Sequence, residues 1–364
     1  MASRFSAYLH KSHRVFPGAW TREGDWLVAR WRLRYGHKLR YKLETSVQID
    51  EPVPAEPPST ASALAAIVLP AMRDNRAVRL PGPLDAATWA SLERRQDMCV
   101  SFFPDFHLTN VRVRAPGPGT GQPPRQREGR VGVFMSLGVD SCFSLLSHQE
   151  EIDDLILVRG FEMSMEPYRD AVWAEMVEAG RSLAAAFGKR LILVRTNLRP
   201  FLEERRVPRG ISHGAALAHV ALLLEPWLHA VYVPSSFDIN NITPWGSHPD
   251  LDPLWSTEGL EIRHDGLERC RLEKIQRLAE DPVVLRHLRV CNRSPTGLYN
   301  CGRCAKCIRT MLGFIATGLE IPKSAFPKDV DPDRIGKRLR QTLGYAQQTL
   351  QFAEVNGIDH PWIR

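Results

Sequence analysis

Between Asp25 and Ile49 the apolar residues recur at alternate positions: Leu27, Ala29, Trp31, Leu33 and Tyr35, then Leu39, Tyr41, Leu43, Val47 and Ile49. A period of two places each set on one face of a strand, and Gly36-His37 between them predicts a hairpin turn. Its opposite face then carries Arg30, Arg32 and Arg34 beside Arg40 and Lys42. Thr60–Asn75 and Asp85–Met98 predict two helices, the second capped by Asp85, with a strand near Leu108–Arg114 after them. Beyond the Pro- and Gly-rich stretch Ala115–Gly129, which reads as a linker, short apolar runs take over. Arg130–Met135, Asp154–Arg159, Arg190–Arg195 and Ala230–Val233 read as buried strands. Between them Val139–His148, Ala171–Phe187 and His213–Leu224 have helical spacing, and Asp265–Lys274 leads into a further helix. Strands alternating with helices imply right-handed βαβ units and a doubly wound parallel sheet.

The expected organisation is therefore α/β: a smaller basic α+β domain over 1–114, the linker over 115–129, and the doubly wound sheet over 130–290. A cysteine knuckle and its helix follow over 291–320, then a helical tail over 321–364. Within that tail Asp331–Val355 is amphipathic, with Ile335, Leu339, Leu343, Leu350 and Phe352 on its packing face.

The chain has 364 residues and 43% hydrophobic content, enough for two globular domains. Pro70 interrupts the longest early apolar run, Ala61–Met72, so no membrane span is expected and the location reads as cytoplasmic. Net charge is +7 and uneven: residues 1–48 hold ten Lys/Arg against three Asp/Glu. A hairpin with cations on one face should attract an acidic or nucleic-acid partner. An edge hairpin protected by its charge is the other reading. Self-association as a homodimer is left open.

Candidate chemistry sits first at Ser136-Leu137-Gly138-Val139-Asp140-Ser141. A strand, a tight glycine turn and a helix start occur there in that order. Unpaired helix-start amides and the positive end of the helix dipole suit a phosphate. The spacing is neither the Walker loop nor the dinucleotide fingerprint. A plain strand–turn–helix corner is the alternative. Ligands of such sheets sit at the carboxyl ends of strands, which nominates Arg159-Gly160, Thr196-Asn197 and Ser235-Ser236; ordinary strand-end caps account for them equally well.

Cys291, Cys301, Cys304 and Cys307 form C-x9-C-x2-C-x2-C, a spacing that can wrap one tetrahedral Zn²⁺, with Arg303 and Lys306 offsetting thiolate charge. The odd cysteine count and the lack of a signal peptide argue against a disulfide framework. An iron–sulfur cluster is the rival reading, since C-x2-C-x2-C occurs there too, but the Pro that follows the fourth cysteine in ferredoxins is absent, which favours zinc. Four protein ligands leave no open position, so the metal reads as structural. Cys99, Cys142 and Cys270 are isolated and read as core.

The loop resembles the Ser-Gly-Gly-x-Asp-Ser loop of the PP-loop ATP pyrophosphatases, with Leu137 in place of a glycine. Loop and knuckle together resemble 7-cyano-7-deazaguanine synthase of the queuosine pathway and its relatives, over about Arg130 to Leu319. Gly246-Ser247-His248-Pro249-Asp250 is similar to that family's Ser-Gly-Tyr-Pro-Asp base-binding segment, with His248 replacing Tyr. The resemblance implies ATP with Mg²⁺ across Ser136–Ser141, and a basic residue, Arg271 or Lys274, at the phosphates. Asp140 and Lys274 are then the catalytic pair, and Ser235, Ser236, His248 and Asp250 surround the substrate. It further implies two rounds of adenylation beginning from a deazapurine carboxylate, 7-carboxy-7-deazaguanine, with ammonia as nucleophile and a nitrile as end product. The basic N-terminal region lies outside the resemblance and suggests a macromolecular amine as an alternative acceptor, because relatives with extra domains occur in bacterial antiviral operons. Sulfur transfer to tRNA, which would need Cys142 as a redox thiol, and a non-catalytic zinc-ribbon protein that binds nucleic acid are the readings from other classes.

Overall fold

The computed structural model describes residues 12–35, 39–113, 129–291, 299–327, 330 and 343–361. Its first four strands are β1 (His13–Val15), β2 (Ala19–Glu23), β3 (Trp26–Tyr35) and β4 (Leu39–Gln48). β3 and β4 pair antiparallel, with Leu27 opposite Val47, Trp31 opposite Leu43 and Leu33 opposite Tyr41. The alternation thus delivers one apolar face, on which Leu27, Ala29, Trp31, Leu33 and Leu43 are buried.

Helix α1 (Thr60–Arg73) follows, then β5 (Val78–Arg79), α2 (Ala86–Phe102) and β6 (Val111–Arg112). Asp85 caps α2 by accepting from the Thr88 amide at 2.9 Å. The βα alternation comes next: β7 (Arg130–Phe134), α3 (Val139–Ser147), β8 (Asp154–Arg159), α4 (Asp170–Ala186) and β9 (Arg190–Thr196). Two helices, α5 (Leu198–Glu204) and α6 (Arg209–Leu223), lead to β10 (Leu228–Pro234) and β11 (Glu261–Asp265). Helices α7 (Arg271–Ala279), α8 (Pro282–His287), α9 (Ala305–Ala316) and α10 (Leu343–Val355) are the remaining α-helices among the described residues.

All eleven strands join one mixed sheet in the order β11-β10-β7-β8-β9-β4-β3-β1-β5-β6, with β2 paired to β3. β11, β10, β7, β8 and β9 are mutually parallel, and β4 then runs antiparallel to β9 with Val47 opposite Val194. The hairpin is therefore largely interior to the sheet: β3 has strand neighbours on both sides, and β4 pairs with β9 over Thr45–Gln48, while Leu39–Glu44, with Lys42 among them, have no second strand partner among the described residues. β11 was not foreseen, because Glu, Arg, His and Asp occupy four of its five positions.

Each face carries its own core. Ile156, Ile192 and Val194 join the hairpin's apolar face, α1, α5 and α6 on one side. Leu155, Leu157 and Leu193 join α3, α4, α7, α9 and the knuckle cysteines on the other. A buried polar bridge crosses the first core: His219 on α6 meets Ser62 Oγ and Thr45 Oγ1, each at 2.9 Å, and Thr45 Oγ1 meets Thr196 Oγ1 at 2.8 Å.

The linker at 115–128 and Ile335 and Leu339 of the tail lie outside the described residues. In α10, Phe352 packs against the core as expected and Ala353 is buried beside it, whereas Leu350 is 46% exposed. Among the described residues no helix is long and apolar enough to cross a membrane.

Candidate functional site

Strand order sets the place of the site. From β7 the chain moves through β8 and β9 in one direction, then returns to lay β10 on the other flank of β7. In a parallel sheet such a reversal opens a crevice between the carboxyl ends of the two diverging strands. Ser136–Ser141 leave β7 at that point and Ser235-Ser236 leave β10. Between them lies a cavity of about 610 Å³.

The loop is shaped by short-range bonds. Ser136 Oγ accepts from the Gly138 amide at 3.3 Å, and Ser141 Oγ donates to the Gly138 carbonyl at 3.2 Å. Leu137 has φ +61°, a left-handed conformation that a Cβ disfavours by about 1–2 kcal/mol. The glycine expected from the resemblance would meet this backbone without cost. Leu137 offsets the strain by burying its side chain completely in the core under α3, away from the cavity. The first-turn amides of α3 have no intrahelical acceptor, and Gly138, Val139, Asp140 and Ser141 line the cavity.

Asp140 anchors the charge pattern. Arg271 Nη1 lies 3.3 and 3.2 Å from its carboxylate oxygens, Lys274 Nζ lies at 3.9 Å, and Ser236 Oγ donates at 3.4 Å. Burial pushes the Asp140 carboxyl up, but the charges of Arg271, Lys274, Arg309 and Lys306 together outweigh it and hold it below the usual carboxylate range. Lys274 is buried behind the loop, where Nζ donates to the Ser235 carbonyl at 2.8 Å. Arg289 and Arg309 add two further guanidiniums to the lining. Arg271 Nε, Arg309 Nε, and Arg289 Nε and Nη2 have no hydrogen-bond partner. Buried guanidinium N–H groups without acceptors are costly, and an anion in the cavity would satisfy them.

The cavity's other end is apolar with one ionic cluster. Phe161, Met163, Met176 and Trp245 line it, and Gly160 makes the sharp turn that brings Phe161–Met163 there. Gly160 has φ +112°, and a Cβ would fall 2.0 Å from the Thr196 carbonyl oxygen. Glu162 pairs with Arg209 and with Lys306 Nζ at 2.8 Å. Burial raises its carboxyl, but Lys306 and then Arg209 prevail and hold it at about 2. His213 beside them is lowered to about 4, chiefly by burial and then by Arg209, so it is neutral at physiological pH.

Of the residues singled out from the sequence, Ser136, Gly138, Val139, Asp140, Ser141, Ser236 and Arg271 line the cavity. Lys274 supports it from behind. Leu137, Arg159, Gly160, Ser235, His248 and Asp250 do not line it. Arg159 instead ties down the loop after β8, through Asp170 at 2.6 Å and the Ser164 carbonyl at 3.2 Å. Ser235 Oγ closes a local turn with Phe237. His248 packs on Phe102 of α2, ring centroids 4.8 Å apart, and Asp250 is exposed beside it. Lys306 serves Glu162 as well as standing in the knuckle. Arg209, His213, Glu162, Arg289 and Arg309 were missed; long-range folding assembles them, and Lys306 and Arg309, three apart on α9, were the one local signal.

Cys291, Cys301, Cys304 and Cys307 converge with all sulfurs within 4.8 Å of one another. Three of the separations are 3.9, 3.9 and 3.5 Å. Tetrahedral zinc with Zn–S bonds of about 2.3 Å sets an S···S edge of about 3.8 Å, so this cluster is compatible with one structural metal such as zinc. Asn300 frames it, accepting from the Val290 and Cys291 amides at 2.9 and 3.2 Å and donating to the Leu288 and Ala325 carbonyls at 2.9 and 3.0 Å. Cys291 also lines the cavity, so the cysteine cluster and the site share a wall. No protein-family model, curated protein or solved structure matches this chain.

Proposed function

We propose that the cavity binds ATP and transfers AMP to a carboxylate, in the manner of the 7-cyano-7-deazaguanine synthases that the loop and knuckle resemble. The observation that carries this reading is the convergence, at the reversal point of the sheet, of a glycine turn, a helix start and buried guanidiniums with unmet N–H groups. That set suits a polyphosphate and no neutral ligand.

ATP is then a substrate, with its phosphates against the first-turn amides of α3, Arg271 and Arg309, and its base toward Phe161, Met163 and Trp245. Mg²⁺ arriving with the nucleotide would neutralise phosphate charge, and Asp140 is the carboxylate of the lining that would hold it. A carboxylate attacks the α-phosphorus, the bond to the β,γ-pyrophosphate breaks, and the new acyl phosphate makes AMP the later leaving group. The protein's part is positioning and stabilisation of the departing pyrophosphate by fixed amides and cations. Zinc in the knuckle holds Cys291 and α9, and with them Lys306 and Arg309, against the cavity. An amine then attacks the acyl carbon: ammonia in this reading, with a protein amine as the second acceptor to be tested.

Sulfur transfer draws no support from Cys142, which is buried and pushed up to about 12, mainly by burial and then by Asp140. Such a thiol does not ionise to attack. The test is ATP–pyrophosphate exchange with 7-carboxy-7-deazaguanine, followed by mass spectrometry of the product formed with ammonia or with added protein. AMP formation that depends on the carboxylate supports the reading. ATP hydrolysis indifferent to any carboxylate opposes it.

A further inference from the structure

We propose that the open face of the N-terminal strands binds single-stranded nucleic acid. Register places one arginine on each of four neighbouring strands in a single line: Arg112 of β6 beside Arg79 of β5, Arg79 beside Arg14 of β1, and Arg14 opposite Arg34 of β3. Directly paired residues project from the same face, so the four guanidiniums share it, across about 14 Å at ordinary strand spacing. A second row lies next to it, with Arg32 of β3 opposite Lys42 of β4. The residues alternating with them, Val15, Leu33 and Val78, are buried on the other face beneath α1.

Arg14, Arg32, Lys42 and Arg112 are exposed, while Arg34 and Arg79 are half-buried. None of the six forms an ion pair with a carboxylate among the described residues, whereas neighbouring Arg30 holds both Glu23 and Glu44. Arg34 Nε and Arg79 Nε have no hydrogen-bond partner. Like charges set side by side in a sheet repel, so this row is maintained at a cost in stability that a bound polyanion would reverse.

The ring of Phe16 decides the class of polyanion. Arg14 and Arg32 stand over it at 4.8 and 5.5 Å from its centroid, which stacks two cations on one aromatic ring within the basic field. Nucleobases stack on aromatic rings and on guanidinium planes, while phosphates take the flanking arginine forks. An acidic peptide offers carboxylates but no flat face for this stack.

The test measures anisotropy of a short fluorescein-labelled single-stranded RNA against the full chain, at salt from about 50 to 200 mM. Each phosphate contact contributes about 0.7 to the slope of log K against log salt, so R14A, R32A, K42A and R112A should each lower the slope by about that amount. F16L should weaken binding about tenfold and leave the slope unchanged. R32K, which keeps charge, should retain the slope, and melting that does not fall in any variant shows that the sheet persists. Binding of single-stranded DNA by the same residues supports the proposal equally. It is overturned by absence of binding at the lowest salt or by unaltered affinity in the combined four-residue variant. Displacement by ATP alone, which would put the oligonucleotide in the cavity, or equal binding of polyglutamate would overturn it as well.

Discussion

Leu137 shows how one side chain can contradict a pattern and still serve it. The backbone takes the left-handed turn that a glycine is suited to, and the leucine is retained there by its buried packing. Leu137→Ala should lose the packing, about 2–5 kcal/mol, and keep the strain. Leu137→Gly loses the same packing but escapes the strain, so we expect it to be the more stable variant by about 1 kcal/mol, the reverse of the usual Gly–Ala order. Thermal melting of the pair checks this, and equal or inverted stabilities would remove the strain from the account. Both should still bind ATP, because the side chain points away from the cavity. Turn chemistry of this kind is local, which is why Ser136–Ser141 could be found from the sequence. Arg289, Arg309 and Glu162 could not, since their roles arise only when distant segments meet. His248 and Asp250 show the opposite failure: a matching string of residues was carried to a segment that packs against α2.

At the scale of elements, two connections should govern stability. The four knuckle cysteines could hold a structural metal such as zinc, which would tie down α9 with a contribution on the order of 10 kcal/mol. Chelation, or Cys304→Ser, should release one equivalent of zinc, lower the melting temperature and lower activity together. Melting that is unchanged after complete removal would show that the metal supports nothing. The second connection is His219, which joins α6 to α1 and β4. Burial lowers its imidazole to about 4, against an ordinary 6.5, so between these values the unfolded chain binds a proton that the folded chain refuses. Stability is full above pH 6.5 and falls as pH drops toward 4, by about 2 kcal/mol at pH 5 from this residue alone. Glu162, held at about 2, adds its own loss only below its ordinary 4.5, so the two windows separate. Denaturant titrations across pH should show the decline beginning near 6.5. His219→Gln should make it shallower without abolishing it, because His213, lowered to about 4, and His13, lowered to about 3, lose stability in the same direction. The alternation of β3 and β4 foretold their faces correctly. It could not foretell their neighbours, because pairing of β4 with β9 is decided by contacts more than a hundred residues apart.

Among the described residues, the strands of both halves form one sheet. Ile156, Ile192 and Val194 of the parallel half share a core with Leu27, Trp31 and α1 of the N-terminal half. We therefore expect a single cooperative transition in calorimetry, with calorimetric and van't Hoff enthalpies equal, and no folded product from a fragment starting at residue 129. Two resolved transitions would restore the independent N-terminal domain that composition suggested. A shared sheet also gives the basic face and the cavity a fixed relation. The measurement that tests the central claim most directly is ATP–pyrophosphate exchange with 7-carboxy-7-deazaguanine, in the native chain and in Asp140→Asn. Exchange that requires the carboxylate and vanishes in the variant, with melting retained, is the expected result. Undiminished exchange in Asp140→Asn, or none in the native chain with zinc bound, contradicts the placement of adenylation at this turn.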